Sequence, residues 1–241
     1  IIVQDNGLGM SDDDIRQAYL IVGRDRRKEE GTDTTPPPFS RKLQAHKGIG
    51  KFSAFGVAGE IEVESVKDGE ISRLKLSYKQ LEESSARREV LLPPLESSGT
   101  VRKGTKITLR QISKFQNRAI PVQVIRRGLA RRFSIIGASN KFEVVINGAP
   151  ITPEERDLKR LLQKDAHGKP YLWEYKDAKI KEGADWTVSG WIGAYDKTRT
   201  LDEGISYGVT IMARGKLAQE PFVFDTTVGQ QYALSYLVGE L

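Results

Sequence analysis

The sequence DNGLGM at residues 5–10 governs the interpretation of this chain, because it places a carboxylate and two glycines in one short turn. The apolar run at residues 1–4 predicts a buried strand, so Asp5 stands where a strand passes into a turn. A carboxylate fixed there can accept a hydrogen bond from an exocyclic amine, and Gly7 and Gly9 would let the backbone approach a flat ring or a phosphate. Taken alone, the pattern is equally typical of a calcium-binding turn or of an ordinary change of chain direction.

A helix is predicted directly after this turn. Ser11 has the side chain of a good N-cap, and the acids at 12–14 suit the positive end of a helix dipole. Met10 and Ile15 have the spacing of a hydrophobic staple, and Gly23 is expected to end the helix. The predicted apolar face consists of Ile15, Ala18, Tyr19 and Val22.

A second glycine-rich stretch, KGIGKFS at residues 47–53, opens another predicted helix. Backbone N–H groups that follow paired glycines at a helix start form an anion site, and Lys47 and Lys51 add positive charge. The stretch is not a Walker A loop, because that pattern needs Gly at position 45 and Ser or Thr at 52, where this chain has Ala45 and Phe52. It indicates either a phosphate loop of another kind or a helix-capping turn.

The segment between the two stretches, residues 24–47, is charged, carries three consecutive prolines at 36–38 and lacks apolar periodicity. A connection this long predicts either disorder or a functional lid.

Further along, residues 60–66 and 71–78 flank Asp68-Gly69, which is a strong signal for a β-hairpin. A polar connection is predicted over 79–103, and Gly104-Thr105 then opens a strand that runs to residue 109.

The second half of the chain has a different composition. The change falls around residues 113–120, so we predict domains over 1–117 and 118–241. The remainder after residue 142 is β-rich, with a last helix predicted near 228–238. A helix over 121–136 is predicted from the apolar stripe Val122, Ile125, Leu129, Phe133 and Ile136.

The polar side of that helix carries four arginines, namely Arg126, Arg127, Arg131 and Arg132. They could follow a phosphate backbone, although a solvated face paired with acids is the more common arrangement. The chain has two histidines: His46 lies in the 24–47 segment, His167 lies in a polar loop, and neither has the neighbours of a catalytic base.

Composition excludes several classes of function. The 241 residues contain no cysteine, which excludes a disulfide scaffold, a thiolate zinc site and a cysteine nucleophile. No run approaches the 18 apolar residues of a membrane span, so we expect a cytoplasmic protein without a membrane partner. The net charge of +6 permits contact with nucleic acid or phosphate without establishing it. Both ends stop within a pattern, and we interpret them as cuts in a longer protein.

The order and spacing of the three motifs resemble the GHKL ATP-binding superfamily, which includes DNA gyrase B, MutL, the ninety-kilodalton heat-shock chaperone, histidine kinases and the MORC proteins. The resemblance covers roughly residues 1–112. It implies the α+β class: a two-layer α/β sandwich followed by a smaller β-rich α/β domain of the transducer type. The chain's ending is most similar to bacterial MORC-like or chaperone-like ATPases.

The resemblance implies ATP as the ligand and gives several residues a role. Asp5 would accept a hydrogen bond from the adenine amine, Met10 would pack on the base, and Thr105 would lie behind it near Asp5. Gly7 and Gly9 would let the chain pass the base. Residues 24–47 would be the ATP lid. The β- and γ-phosphates would be held by Lys47, Gly48, Ile49, Gly50, Lys51 and Phe52. Met10 and Phe52 are equally typical of core residues, and Lys51 of a solvated helix.

The sequence departs from the family at one place. The family carries a Glu general base and an Asn ligand for Mg²⁺ on a helix before D-x-G-x-G, whereas four residues precede Asp5 here. Asn6 cannot substitute, because it lies on the adenine side. We therefore expect no catalytic base and no Mg²⁺ ligand within the 241 residues. Either both lie upstream in the intact protein, or this piece was made without them. In the family a transducer lysine reaches the γ-phosphate; Lys216 is a weak candidate, because an ordinary strand-turn lysine is the more common explanation.

The resemblance implies a nucleotide-dependent conformational clamp or dimerisation switch. ATP would order the lid, two protomers would close into a homodimer, and hydrolysis would reopen them. Such a clamp would act on DNA or on a protein partner, in repair, restriction or phage defence. Two alternatives stay open: a chaperone-type ATPase that acts on protein clients, and a non-hydrolysing module that binds partners under the control of the nucleotide.

Overall fold

The computed structural model describes eleven stretches of the chain, which are residues 1–23, 28–29, 31–36, 40–43, 50–85, 102–113, 119–179, 181–183, 185–196, 208–222 and 236–241. By contacts between Cα atoms the chain divides into two units, Ile1–Ile120 and Pro121–Leu241. Helices and strands occur in both units, so the α+β class is confirmed. The transducer role of the second unit stays a prediction.

The first unit is built on one antiparallel sheet with the strand order β1-β4-β2-β3. Its elements are β1 (Ile2–Gln4), α1 (Asp12–Asp14), a π turn (Ile15–Tyr19), a 3₁₀ helix (Gly50–Gly56), β2 (Ala58–Lys67), β3 (Glu70–Ser77), α2 (Tyr78–Ser85) and β4 (Gly104–Ile112). The hairpin predicted at Asp68-Gly69 is confirmed: Lys67 pairs with Glu70, and the turn residues have φ values of 51° and 86°. Positive φ at both positions is what a two-residue I′ turn requires.

The two faces of this sheet differ in chemistry because side chains alternate along each strand. One face buries Ile61, Val63, Leu74 and Leu76 together with Ile15 of the π turn. Partly buried residues pack against this cluster, namely Met10, Tyr19, Leu20, Phe52, Ala54, Phe55, Ile107 and Leu109. The other face carries ion pairs, namely Glu60–Lys75 at 3.1 Å, Glu62–Arg110 at 2.9 Å and Glu64–Arg73 at 2.6 Å. The helical segments therefore form a second layer over one face of the sheet.

The helix predicted after the first turn begins as expected and ends early. Ser11 and Asp14 form a capping box, with Ser11 Oγ accepting from Asp14 N–H at 3.2 Å and Asp14 Oδ2 accepting from Ser11 N–H at 2.9 Å. The Leu20 N–H then donates to the Ile15 carbonyl at 2.9 Å, which is the i→i+5 bond of a π turn. The wider turn changes which side chains face the sheet. Leu20 therefore packs on the core, and Val22, which was expected on the apolar face, is exposed.

Two further expectations for the first unit are wrong. Strand β1 is present, but Ile2 and Val3 are 64% and 58% exposed, because β1 lies at the sheet edge. The polar connection predicted over 79–103 begins as helix α2, whose lysine, glutamine, leucine and glutamates are good helix formers. The Tyr78 ring of α2 packs on Phe55 with 5.9 Å between ring centroids. Residues 86–101 lie outside the described residues.

The second unit contains one helix, several short 3₁₀ turns and two sheets among its described residues. Its elements are α3 (Val122–Arg132), β5 (Val145–Ile146), β6 (Ala149–Pro150), β7 (Leu172–Lys179), β8 (Thr187–Ala194), β9 (Gly208–Ala213), β10 (Lys216–Phe222), β11 (Leu237–Glu240) and 3₁₀ turns at Ala138–Asn140, Pro153–Glu155 and Lys159–Leu161. The larger sheet has the order β10-β9-β11-β8-β7, and its one parallel pair is β9 with β11. The other sheet is the β5–β6 pair.

The second unit also corrects two predictions. The helix expected over 121–136 ends at Arg132, and Ile125 of its predicted stripe is 39% exposed, whereas Ala130 is buried beside Leu129 and Phe133. The helix expected near 228–238 is wrong at its end, because β11 pairs there with β8 on one side and β9 on the other. Residues 223–235 lie outside the described residues. No described helix has the length and apolarity that a membrane crossing requires.

Asp14 of the capping box also forms an ion pair with Lys67 at the end of β2. This ion pair predicts how the stability of the fold depends on pH. Hydrogen bonds from Lys67 Nζ at 2.7 Å and from Ser11 N–H lower the pKa of the Asp14 carboxyl from 3.8 to about 2. A depressed carboxyl pKa contributes stability that is present above the unfolded-state pKa and is lost as the pH falls through the folded-state value. The contribution should therefore be complete above about pH 5 and lost between about pH 4 and pH 2.

The measurement is the urea midpoint of wild type and Lys67→Met across this pH range. We expect Lys67→Met to be less stable at pH 6, with a difference that shrinks as the pH falls toward 2. Lys79→Met is the matched control, since Lys79 is 84% exposed and lies 3.9 Å from Glu83 on α2. A difference between wild type and Lys67→Met that is independent of pH would contradict the ion pair as its cause.

Candidate functional site

Asp5 is fixed at the end of β1 by Thr105 at the start of β4. The Asp5 N–H donates to the Thr105 carbonyl at 2.9 Å, and the Thr105 N–H donates to Asp5 Oδ1 at 3.1 Å. The Gly7 N–H donates to the same Oδ1 at 2.8 Å. Oδ1 therefore holds two backbone hydrogen bonds, while Asp5 Oδ2 accepts none from the described residues. Because Asp5 is exposed, this second oxygen is available to a donor outside the protein.

Three glycines make this arrangement possible because a Cβ at their positions would collide with neighbouring protein atoms. The sequence analysis did not predict this role. Gly9 has φ of 75°, and a Cβ there would overlap the Val66 carbonyl of β2. Gly104 has φ of 127°, and a Cβ there would overlap the Asp5 carbonyl. A Cβ at Gly7 would lie 2.9 Å from Asp5 Oδ1. The glycines thus let the turn lie directly on β2 and β4; their predicted role beside a base stays a prediction.

A buried hydroxyl lies behind the turn and was missed by the sequence analysis. Ser65 on β2 is fully buried, and its Oγ accepts from the Met10 N–H at 2.8 Å. The same Oγ lies 2.9 Å from Thr105 Oγ1 and 3.3 Å from the Gly104 carbonyl. Ser65 pairs with Thr105 on one side and with Ser72 of β3 on the other. The three hydroxyl residues form one row across the sheet.

The sequence contains a signal for this row, because the inward-facing positions of β2, β3 and β4 follow the same pattern. Inward positions read Ile61, Val63, Ser65 on β2; Leu76, Leu74, Ser72 on β3; and Leu109, Ile107, Thr105 on β4. Each strand thus continues its apolar face with a hydroxyl at the same end. Recognising the row requires the strand register, because only the register shows that the three hydroxyls are neighbours.

The second glycine-rich stretch is described from Gly50 onward, where a 3₁₀ helix begins. Lys51 Nζ donates to the Ile21 carbonyl at 2.9 Å and lies 5.4 Å from the ring centroids of both Tyr19 and Phe52. Burial lowers the pKa of the Lys51 ammonium group below its usual value. Lys47, Gly48 and Ile49, predicted to hold phosphate, lie outside the described residues.

Met10 and Phe52 have side chains that pack against the core of the first unit. Phe52 also stacks on Phe55, with 6.5 Å between ring centroids. The structure thus gives both side chains the core packing that the sequence analysis considered as the alternative. Contacts of Met10 with a base and of the Phe52 backbone with phosphate stay predictions.

Arginines of α3 pair with acids, among them Arg126 and Arg132. Arg126 bonds to Glu155 through Nη2 at 2.5 Å and Nε at 3.1 Å, and its Nη1 donates to the Ala149 carbonyl at 2.8 Å. Its side chain is 11% exposed, so Arg126 is a structural residue that joins α3 to the β6 strand and the turn after it. Arg132 pairs with Glu220 at 2.6 Å. These pairs favour pairing with acids over a row of cations that follows a phosphate backbone.

Lys216, the two histidines and the predicted lid are the remaining candidates from the sequence. Lys216 is exposed and begins β10 directly after the Arg214-Gly215 turn. His167 is exposed in a turn where its N–H donates to Asp165 Oδ1 at 2.9 Å. Within the predicted lid, Asp33 pairs with Lys42 at 2.8 Å, and His46 lies outside the described residues.

The described part of the second unit includes a cavity of about 370 Å³, lined by Gln123, Arg126, Arg127, Glu155 and Arg160, and a smaller cavity. The smaller cavity measures about 70 Å³ and is lined partly by Arg131, Arg156, Trp191 and Glu240. Sites for drug-sized ligands measure roughly 300–1,000 Å³, so this cavity is too small for a nucleoside triphosphate. The described residues of the whole chain contain no group of three His, Cys, Asp or Glu that could hold a metal ion.

Comparisons with known proteins give a family match for the first unit. Residues 1–110 match the family model described as histidine kinase-, DNA gyrase B-, and HSP90-like ATPase, which confirms the GHKL resemblance. The whole chain is 29% identical, over 263 residues, to a Herpetosiphon aurantiacus protein described as "Putative type II restriction enzyme HgiDII". The chain spans 41% of the length of that relative.

The chain is also similar to a solved structure, the ATPase region of Saccharomyces cerevisiae topoisomerase II bound to ICRF-187 (dexrazoxane). The superposition has a TM-score of 0.48 at 16% sequence identity, and it covers 90% of this chain and 53% of that chain.

Proposed function

We propose, on the premise that residues 1–110 are an ATPase domain of the GHKL type, that this domain binds ATP with the adenine amine at Asp5. The observation that carries the proposal is the Asp5 carboxylate. Oδ1 is fixed by N–H groups of Gly7 and Thr105, which leaves Oδ2 as an acceptor at the protein surface. An exocyclic amine is the donor that an acceptor-only carboxylate recognises.

The phosphates would lie at the second glycine-rich stretch. Lys51 already donates one of its three hydrogens to the Ile21 carbonyl, so two hydrogens remain for phosphate oxygens. Backbone N–H groups at the start of the Gly50–Gly56 helix, with Lys47, Gly48 and Ile49 before it, would complete the phosphate contacts. A magnesium ion, when bound, would neutralise phosphate charge; the described residues supply no three-ligand group for it.

The role proposed for ATP binding is that of a conformational clamp on DNA. Residues 24–47 would close over the nucleotide as a lid, and the second unit would transmit closure as a transducer-like domain between two protomers. DNA is the proposed partner because all of this chain aligns with a relative that is described as "Putative type II restriction enzyme HgiDII". The chain corresponds to 41% of that relative, so the activity of the whole protein is part of the proposal.

The nucleotide site is tested by the Asp5→Asn substitution. The Asn amide presents a donor where the adenine amine needs an acceptor, so a charge-assisted hydrogen bond worth about 1.5–3 kcal/mol is lost. The dissociation constant for a fluorescent ATP analogue should rise by about 10- to 150-fold. Asp13→Asn is the matched control, since Asp13 is an exposed acid on α1 outside the Asp5–Thr105 pairing. Equal affinity of wild type and Asp5→Asn would refute the assignment.

The clamp is tested by coupling between nucleotide and DNA. A non-hydrolysable ATP analogue should raise the affinity of the full-length protein for duplex DNA and increase its dimer fraction in sedimentation equilibrium, because closure of two protomers would trap the duplex. Asp5→Asn should show neither response at the same analogue concentration. An analogue that leaves DNA affinity unchanged and instead raises the affinity for a denatured protein client would favour the chaperone alternative.

A further inference from the structure

The larger cavity of the second unit, with a volume of about 370 Å³, has a cationic wall. Helix α3 contributes Gln123, Arg126 and Arg127, and the two 3₁₀ turns that follow β6 contribute Glu155 and Arg160. Three guanidinium groups against one carboxylate give this lining a net charge of +2. Its volume falls within the roughly 300–1,000 Å³ of small-molecule sites, so the cavity has room for a ligand.

The carboxylate in this wall is already held by protein donors. Glu155 Oε1 accepts from Arg126 Nη2 at 2.5 Å and from the Thr152 N–H at 3.0 Å, and Oε2 accepts from Arg126 Nε at 3.1 Å. Burial raises the pKa of the Glu155 carboxyl, but the hydrogen bonds from Arg126 and Thr152 outweigh burial and lower the pKa below its usual value. Glu155 is therefore ionised at neutral pH, and its charge is neutralised by Arg126.

Arg126 is also fixed by backbone acceptors. Its Nη1 donates to the Ala149 carbonyl at 2.8 Å, and its Nη2 donates to the Pro150 carbonyl at 2.5 Å. These bonds tie α3 to β6 and to the turn that carries Glu155. The next residue of the helix, Arg127, consequently extends from a backbone that is held in place beside the cavity.

Arg127 differs from Arg126 in its partners. Arg127 is half-buried and forms no hydrogen bond with another residue of the described ranges, although its charge acts on Glu155. Arg160 is exposed and brings a further guanidinium to the same wall from a separate turn. A guanidinium is always charged, and its N–H groups form a planar fork that matches the oxygens of a phosphate. The wall is therefore suited to an anion with several oxygens.

A phosphate group satisfies this wall better than a carboxylate does. A phosphate monoester carries a charge of about −1.5 to −2 at neutral pH and three acceptor oxygens, whereas a carboxylate carries one charge and two oxygens. Among the described residues, no aromatic side chain lines the cavity, so a nucleobase would find no ring to stack on. Recognition at this cavity would therefore depend on the phosphate and not on the group attached to it.

We propose that this cavity is a phosphate-binding site, in which Arg127 and Arg160 bind the phosphate oxygens and the Arg126–Glu155 pair positions Arg127. The site goes beyond the proposed ATP site and does not depend on it, because every residue that lines the cavity belongs to the second unit. The phosphate has two candidate sources, a nucleic-acid backbone and a small phosphorylated molecule, which present the same oxygens.

The other end of α3 supplies a matched control. Arg131 and Arg132 line the smaller cavity instead of the larger one, so the four arginines of α3 form two separate pairs. Arg132 bonds to Glu220 at 2.6 Å, and its side chain is 55% exposed. Arg132→Gln therefore removes the same charge from the same helix as Arg127→Gln without altering the larger cavity.

The first measurement is a titration of the full-length protein with inorganic phosphate, followed by phosphorus NMR. Arg127→Gln should weaken binding at this site by about tenfold, because a charge-assisted hydrogen bond is lost. Arg160→Gln should act in the same direction, and Arg132→Gln should match wild type. Phosphate that still binds to the Arg127→Gln/Arg160→Gln double variant belongs to other sites, including the first unit, and is subtracted. If Arg127→Gln does not fold, the exposed position 160 carries the test.

The second measurement identifies the source of the phosphate. For duplex DNA, the logarithm of the binding constant falls with the logarithm of the salt concentration by about 0.9 for each phosphate that the protein neutralises. If DNA supplies the phosphate, Arg127→Gln should reduce this slope by about 1, and Arg132→Gln should not change it. Weaker binding of inorganic phosphate with an unchanged slope, or with no DNA binding at all, identifies a small phosphorylated molecule.

Two results overturn the inference. Folded Arg127→Gln and Arg160→Gln variants that keep both the phosphate affinity and the salt slope of wild type would show that the cavity binds no phosphate. An equal loss in Arg132→Gln would show that the net charge of the unit, and not the cavity, attracts the anion. Either result leaves the proposed ATP site at Asp5 untouched, since that site is measured by nucleotide affinity.

Discussion

Asp5 and Thr105 lie 100 positions apart in the sequence and share two hydrogen bonds, and the geometry of the first unit depends on this pairing. The Asp5 N–H and the Thr105 carbonyl extend the β1–β4 ladder by one step beyond Gln4. The Thr105 N–H then turns to the Asp5 side chain. The carboxylate therefore leaves the strand with its direction already set, and a ligand would meet it without ordering a flexible side chain.

The sheet behind this pairing changes character toward the site. Its inward rows are apolar where Ile61, Val63, Leu74 and Leu76 pack under the helical layer, and the next row consists of Ser65, Ser72 and Thr105. Burying a hydroxyl is costly unless it is hydrogen-bonded. Ser65 meets that condition through Met10 and Thr105, so the same bonds that satisfy it hold the DNGLGM turn against β2. The buried hydroxyl thus stabilises the turn that carries Asp5.

Local signals in the sequence predicted the features that depend on neighbouring residues. The Ser11 cap and the Asp68-Gly69 hairpin follow from side-chain chemistry and backbone preference within four residues, and both are confirmed. The π turn after Asp14 could not be foreseen, because the helical pattern continues smoothly to Val22 and only packing against the sheet selects Leu20. Strand β11 was missed since its four residues gain their pairing from β8 and β9, which lie far away in sequence. Ser65 was missed for the same reason: a serine at an inward strand position has no meaning until the register places it beside Thr105.

The central claim is that the Asp5 carboxylate, fixed by two backbone N–H groups, recognises the exocyclic amine of adenine. The most direct measurement is a crystal structure of the full-length protein with a non-hydrolysable ATP analogue. The account predicts that the adenine N6 donates to Asp5 Oδ2, either directly at about 2.9 Å or through one water molecule. An adenine bound with N6 more than about 4 Å from both Asp5 oxygens and no bridging water, or a nucleotide bound away from the β1–β4 pairing, would contradict it.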